Sequence, residues 1–134
     1  MPKNPPPGSP NIFPALRYQN GPAAVEWLTR AFGFEKQMVV PGPDGAIAHA
    51  QLSFGPGVVM LGSARDEQGT NPWATVKQGV YVYVEDVDAH YKRAKTAGAD
   101  IVRELQDTGH GGREYSARDP EGHLWSFGTY YPTA

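Results

Sequence analysis

Arg118-Asp119-Pro120-Glu121-Gly122-His123-Leu124-Trp125-Ser126-Phe127 joins two strand-like runs through a tight turn. Asp-Pro opens a turn and glycine supplies the conformational freedom that ends it. Residues 113–118 and 123–130 read as the flanking strands. Upstream, Gly109-His110-Gly111-Gly112 separates them from a further strand at 100–105. Before that lies Gly79-Val80-Tyr81-Val82-Tyr83-Val84, β-branched and aromatic throughout, which is strand composition. Asp86 is a cap candidate for a helix through Ala97, with Val87, Tyr91, Ala94 and Ala97 turned inward and Gly98 closing it. The second half of the chain therefore reads β-α-β-β-β.

The first half has the same order. Residues 12–18 form a strand whose Pro14 points to an edge or a bulge. Asn20-Gly21-Pro22 supplies a turn, a cap and an early helical proline. Ala24, Val25, Leu28, Ala31 and Phe32 then share one helical face, and Gly33 stops the helix. Residues 34–40, 46–54 and 58–61 are strands, separated by Pro41-Gly42-Pro43-Asp44-Gly45 and Gly55-Pro56-Gly57. From Ala48 to Phe54 apolar and polar residues alternate, as in a half-buried strand. The two closing glycines lie 65 residues apart, and each follows an Arg-Ala pair near its helix end. The unit is duplicated.

Composition narrows the function classes. The 134 residues suffice for one ordinary domain, expected as a Pro-rich arm (1–11) followed by a single domain (12–134). Within it, module one spans about 12–63, a connector 64–77, and module two about 78–131. A net charge of −2, with cations and anions interleaved, gives no electrostatic footprint for nucleic acid. Cysteine is absent, which removes disulfides, thiolate metal sites and cysteine nucleophiles. No apolar run is long enough to span a membrane, and the start lacks the apolar region of a secretory signal. A cytoplasmic protein is expected.

The doubled βαβββ unit, with its Asp119-Pro120-Glu121-Gly122 hairpin, resembles the vicinal oxygen chelate superfamily of glyoxalases, bleomycin-resistance proteins and dioxygenases. Val87-Asp88-Ala89, Ala97-Gly98-Ala99-Asp100 and Trp27 to Phe34 are similar to its helices and their exits. His49-Ala50-Gln51-Leu52 and the turn after it look closest to the PhnB-like branch. The resemblance implies an α+β fold in which the modules form a curved, mostly antiparallel mixed sheet around a central cup. It also implies a homodimer. Metal-dependent members place ligands early in the first strand and midway along the fourth strand of each module. Those places fall here on Phe13, Met60, Val80 and Ser126. Zinc, nickel and iron need imidazole or carboxylate donors, so the resemblance carries over no metal ligand, and no cofactor is expected.

The same carry-over, with strand alternation, lines the cup with Phe13, Gln51, Met60, Val80, Ser116 and Ser126, and packs Tyr81 and Tyr83 beneath the helices. Trp73, in the polar connector, is a stacking wall for a flat ligand, a subunit contact or a local anchor. Such a cup suits an apolar or aromatic small molecule, bound or sequestered without metal. The alternative is an isomerase- or lyase-type enzyme, metal-free or with a relocated metal, using His49 and Glu114 as acid and base. Free histidine titrates near ~6.5, which suits that role. His123 reads as a turn stabiliser, His90 as a surface residue, and His110 as part of a loop able to cover the cup. Trp27 and Trp125 fit the core pattern.

Overall fold

The computed structural model describes residues 10, 12–64, 71–109 and 111–132; the Pro-rich arm apart from Pro10, part of the connector, and His110 lie outside the described residues. The chain divides into two compact units. Unit one carries the first four strands, and unit two carries the last four together with Arg30–Phe32. The fold is α+β, with one open, curved, four-stranded mixed sheet in each unit.

In unit one, β1 (Ala15–Tyr18) is followed by α1 (Gly21–Trp27), β2 (Glu35–Pro41), β3 (Ile47–Phe54) and β4 (Gly57–Ser63). The sheet order is β1-β4-β3-β2, with β1 parallel to β4 and the other pairings antiparallel. Pro14 stands just outside β1, where its missing N–H costs no ladder bond. The Asn20 side chain accepts from the Ala23 N–H at 3.0 Å and caps α1. The helix runs on through a wider π turn, Leu28–Phe32, and ends at Gly33, whose φ of 83° favours glycine. Leu16, Tyr18, Leu28, Leu52 and Leu61 are fully buried, so alternate residues of β1, β3 and β4 form the core of unit one.

Unit two repeats the plan with β5 (Gly79–Tyr83), α2 (Val87–Thr96), β6 (Asp100–Asp107), β7 (Arg113–Arg118) and β8 (Leu124–Gly128), in the order β5-β8-β7-β6. Asp86 caps α2 through the Ala89 N–H. Trp125, Phe127, Tyr115 and Phe32 are buried together, with ring centroids 4.7–5.7 Å apart from Phe32 to Trp125 and Phe127. The hairpin that decided the sequence reading is held by one buried carboxylate. Asp119 Oδ1 accepts from the N–H groups of Glu121 and His123, and Oδ2 accepts from the Trp125 indole N–H at 3.0 Å. His123 is fully buried, and its Nδ1 accepts from the Gln78 N–H at 3.1 Å. Turn, indole and the start of β5 are thereby tied together.

His90 departs from the sequence expectation of a surface residue. Its ring lies tilted against Phe127, centroids 4.1 Å apart, Nε2 donates to the Phe32 carbonyl at 2.8 Å, and Nδ1 accepts from the Tyr115 hydroxyl at 2.6 Å. A helical period of ten residues is too short to say which flank of α2 is covered, and here the end of the first helix covers it. Burial lowers the His90 pKa, opposed by the bond to the Phe32 carbonyl. Burial likewise raises the Tyr115 pKa, so its phenol stays a donor.

Two outcomes follow from these contacts. Asp119→Ala leaves three donors without their acceptor and should cost about 2–4 kcal/mol, read from urea denaturation. Because the folded pKa of His90 lies below its unfolded value of about 6.5, the unfolded chain binds the proton first as pH falls. Stability should therefore decline on acidification through about pH 6.5. His90→Gln should lack that part of the slope in melts taken between about pH 7.5 and 5.

Candidate functional site

The ladder register fixes which residues share the open face of each sheet, away from the buried residues just described. In unit one, Ala15 stands beside Met60, and Met60 stands beside Gln51, which in turn pairs with Met38. His49 Nε2 donates to Gln51 Oε1 at 3.0 Å, so these two residues act as one polar group. Phe13 is half-exposed just before β1. Trp73, more than half exposed, sits on the short helical turn Pro72–Ala74 and has its backbone N–H bound by Asn71. A cavity of about 360 Å³ opens beside the start of α1, lined by Gln19, Asn20, Asp44 and Ser63 among others. None of the candidate catalytic or ligand-binding residues lines it.

Unit two carries the better-defined constellation. One cross-strand row runs Tyr81, Ser126, Ser116, Arg103, and the next runs Tyr83, Gly128, Glu114, Gln106. The Ser116 and Ser126 hydroxyls are bonded at 2.7 Å. Glu114 has a side chain 13% exposed and is paired with Arg103, 57% exposed, at 3.3 Å. Small side chains thus floor the space between tyrosines and an acid–base pair, with Ser116 and Gly128 themselves buried.

Tyr81 reaches over that floor because β8 ends in glycine. A Cβ on Gly128 would lie 2.8 Å from Glu114 Cβ and 2.9 Å from the Tyr81 hydroxyl. With that space open, the Tyr81 hydroxyl donates to the Tyr130 carbonyl at 2.5 Å. Burial and then the nearby Glu114 carboxylate raise the Tyr81 pKa, and the bond to Tyr130 opposes them. Tyr81 and Tyr83 remain 36% and 41% exposed, and Tyr83 meets the Tyr131 ring edge-on at 5.1 Å.

The faces of β5 are the reverse of the sequence expectation. Parallel pairing aligns Val80 with Trp125 and Val82 with Phe127, on the buried side. Val80 therefore does not share a face with Ser116 and Ser126; Tyr81 does. Both parities of this strand are apolar, so alternation alone could not choose between them. The signal that could have chosen was Trp125, already assigned to the core. Arg103 and Tyr83 were missed for the same reason: strand partners are invisible before the register is known.

The residues on these rows do not fit a divalent metal. The positions matched to metal ligands hold a thioether, a serine hydroxyl and apolar groups. Among the described residues no group of three or more His, Cys, Asp or Glu is placed to hold a metal ion.

The sequence model of the Glyoxalase/Bleomycin resistance protein/Dioxygenase superfamily matches residues 13–127. The chain belongs to that superfamily. It is similar to an uncharacterized protein of Mycobacterium bovis, at 34% identity over 125 residues, 89% of this chain and 82% of that protein. Among solved superfamily-like structures it resembles TioX from Micromonospora sp. ML1, with a TM-score of 0.78 and 38% identity, covering 92% of this chain and all of that one. Lactoylglutathione lyase from Agrobacterium tumefaciens shares the fold, with a TM-score of 0.68 over 92% of this chain and 95% of that one, at 20% identity. No described helix is long and apolar enough to cross a membrane.

Gly128→Ala should force Tyr81 off the Tyr130 carbonyl and cost about 1–3 kcal/mol, as overpacking of a close contact does. Chemical denaturation checks the cost, and near-ultraviolet circular dichroism checks the change at the tyrosines.

Proposed function

We propose that this protein is a PhnB-like member of the superfamily that binds or sequesters an apolar or aromatic small molecule on the open faces of its sheets, without a metal. The carrying observation is the open sheet face of unit two. Tyrosines, a serine pair and a glycine share this face, and Ser126 stands at the fourth-strand place matched to a metal ligand. Exposed aromatic faces beside a few fixed polar groups are what a small-molecule site needs. The 38% identity with TioX supports a common site architecture.

The acid–base alternative has less support. His49 is engaged by Gln51 and Glu114 by Arg103, so each group spends its hydrogen bonding within its own unit. In this reading the protein works as a cytoplasmic homodimer. The apolar side chains exposed on edge strand β2 (Met38, Val39 and Val40) support self-association.

Native mass spectrometry and thermal melts test this together. The expected result is a dimer free of stoichiometric zinc, nickel, manganese or iron, whose Tm those metals leave unchanged. Planar aromatic compounds should raise it: a ligand at a hundredfold excess over Kd adds about 2.7 kcal/mol, several degrees for a chain of this size. One tight metal per unit would sink the metal-free reading, and an aromatic library without a single stabilising compound would sink the binding one.

A further inference from the structure

We infer that the open face of unit one holds a copper(I) ion between the thioethers of Met38 and Met60 and the imidazole of His49. Such a site goes beyond the small-molecule binding proposed above, which the open face of unit two carries.

The chain has three methionines, and one of them is its first residue. The other two are both lateral neighbours of Gln51: Met60 pairs with it from β4 and Met38 from β2. Directly paired residues project to the same side of a sheet, so both thioethers rise from the face that carries the Gln51 side chain. Two strand spacings, about 9–10 Å, separate their backbones. Two long, unbranched side chains can close that gap from either side. His49 lies two residues before Gln51 on the same strand, shares the face, and has its Nε2 3.0 Å from Gln51 Oε1. The imidazole is therefore aimed at the residue that the two methionines flank. Met38 is 47% exposed, and Met60 and His49 are half-buried, so the face is open to an entering ion. Met60 and His49 stand on central strands, which fixes them, and Met38 on the edge strand adapts.

Two thioethers and an imidazole are a donor set for one kind of ion. Thioether sulfur is soft and uncharged, and it selects copper(I) over zinc, nickel and iron; imidazole also suits copper. No carboxylate stands on the neighbouring ladder positions, where Val40 is the partner of His49 and Ala15 of Met60. A divalent ion would have to leave its hydration shell for an uncharged set of donors, whereas a soft monovalent ion gives up much less. In the ion-free protein Gln51 keeps the ring oriented. On binding, the ring proton passes from Nε2 to Nδ1, the Nε2 lone pair meets the ion, and the amide turns aside. One part-buried hydrogen bond is a small loss against two metal–sulfur bonds and a metal–nitrogen bond.

Anaerobic titration of the full, untagged chain with copper(I), in competition with bicinchoninate, tests the site. Wild type should take one copper(I) per chain from the chelator, and X-ray absorption should show two sulfur neighbours and one imidazole nitrogen. The near-isosteric Met38→Leu and Met60→Leu should each weaken binding by at least about tenfold, as should His49→Gln, since even the outer partners of a metal site are worth that much. Thermal melts establish that each variant is folded. Failure of wild type to compete, or affinity unchanged in a chain carrying both leucines, overturns the site. Coordination by nitrogen alone overturns it as well, because the ion would then sit elsewhere. Each of these results leaves the binding function standing, which copper-free protein tests through its own response to aromatic compounds. Zinc bound as tightly as copper(I) overturns the soft-ion selection and the metal-free reading together.

Discussion

The parallel pairing of β5 with β8 decides which side chains of unit two meet water. Trp125 and Phe127 are the largest groups on β8, and burying them sets that strand's orientation. A parallel neighbour must then offer Val80 and Val82 to the same side and Tyr81 and Tyr83 to the other. Shifting the register by one residue would exchange every side chain between the faces. The exposed tyrosines, the serine pair and the place of Glu114 all follow from that single alignment.

Two polar devices keep the alignment in place. Asp119 gathers three donors at the β7–β8 turn, one of them the Trp125 indole, so the turn and the core residue are positioned by one carboxylate. His123 accepts from the Gln78 N–H and thereby fixes where β5 begins. Groups of this kind are worth little as net bonds but are costly to leave unmade, which makes them good at specifying one register. The exposed pairs of Arg113 and Arg118 with Asp88, Asp107 and Asp100 contribute less, since solvent screens them.

The two units use one plan for different surfaces. Both have the first strand, at one sheet edge, parallel to the fourth, and Ala15 beside Met60 corresponds to Tyr81 beside Ser126. In unit one these rows hold alanine, a thioether and an amide joined to imidazole; in unit two they hold phenols, hydroxyls and a carboxylate. A duplicated scaffold thus presents an apolar, weakly polar face and an aromatic, acidic one. Fold membership alone would not distinguish them, because chemistry resides in the side chains placed on the scaffold.

The order of elements was legible in the sequence because turn residues and hydrophobic period are local properties. Asp119-Pro120-Glu121-Gly122, the caps at Asn20 and Asp86 and the closing glycines at Gly33 and Gly98 all stand where the chain pattern puts them. So did the burial of Leu52, since polar Gln51 and Ser53 alternate with it. Where alternation was ambiguous, only tertiary structure decided. In Val80-Tyr81-Val82-Tyr83 both faces are apolar, and the strand's partner chose between them. His90 was likewise settled by the helix end that packs over it, through Phe32, 58 residues away in the chain. Local patterns determine which elements form; contacts between residues distant in sequence determine which of their faces is buried, because burial is a property of the pair.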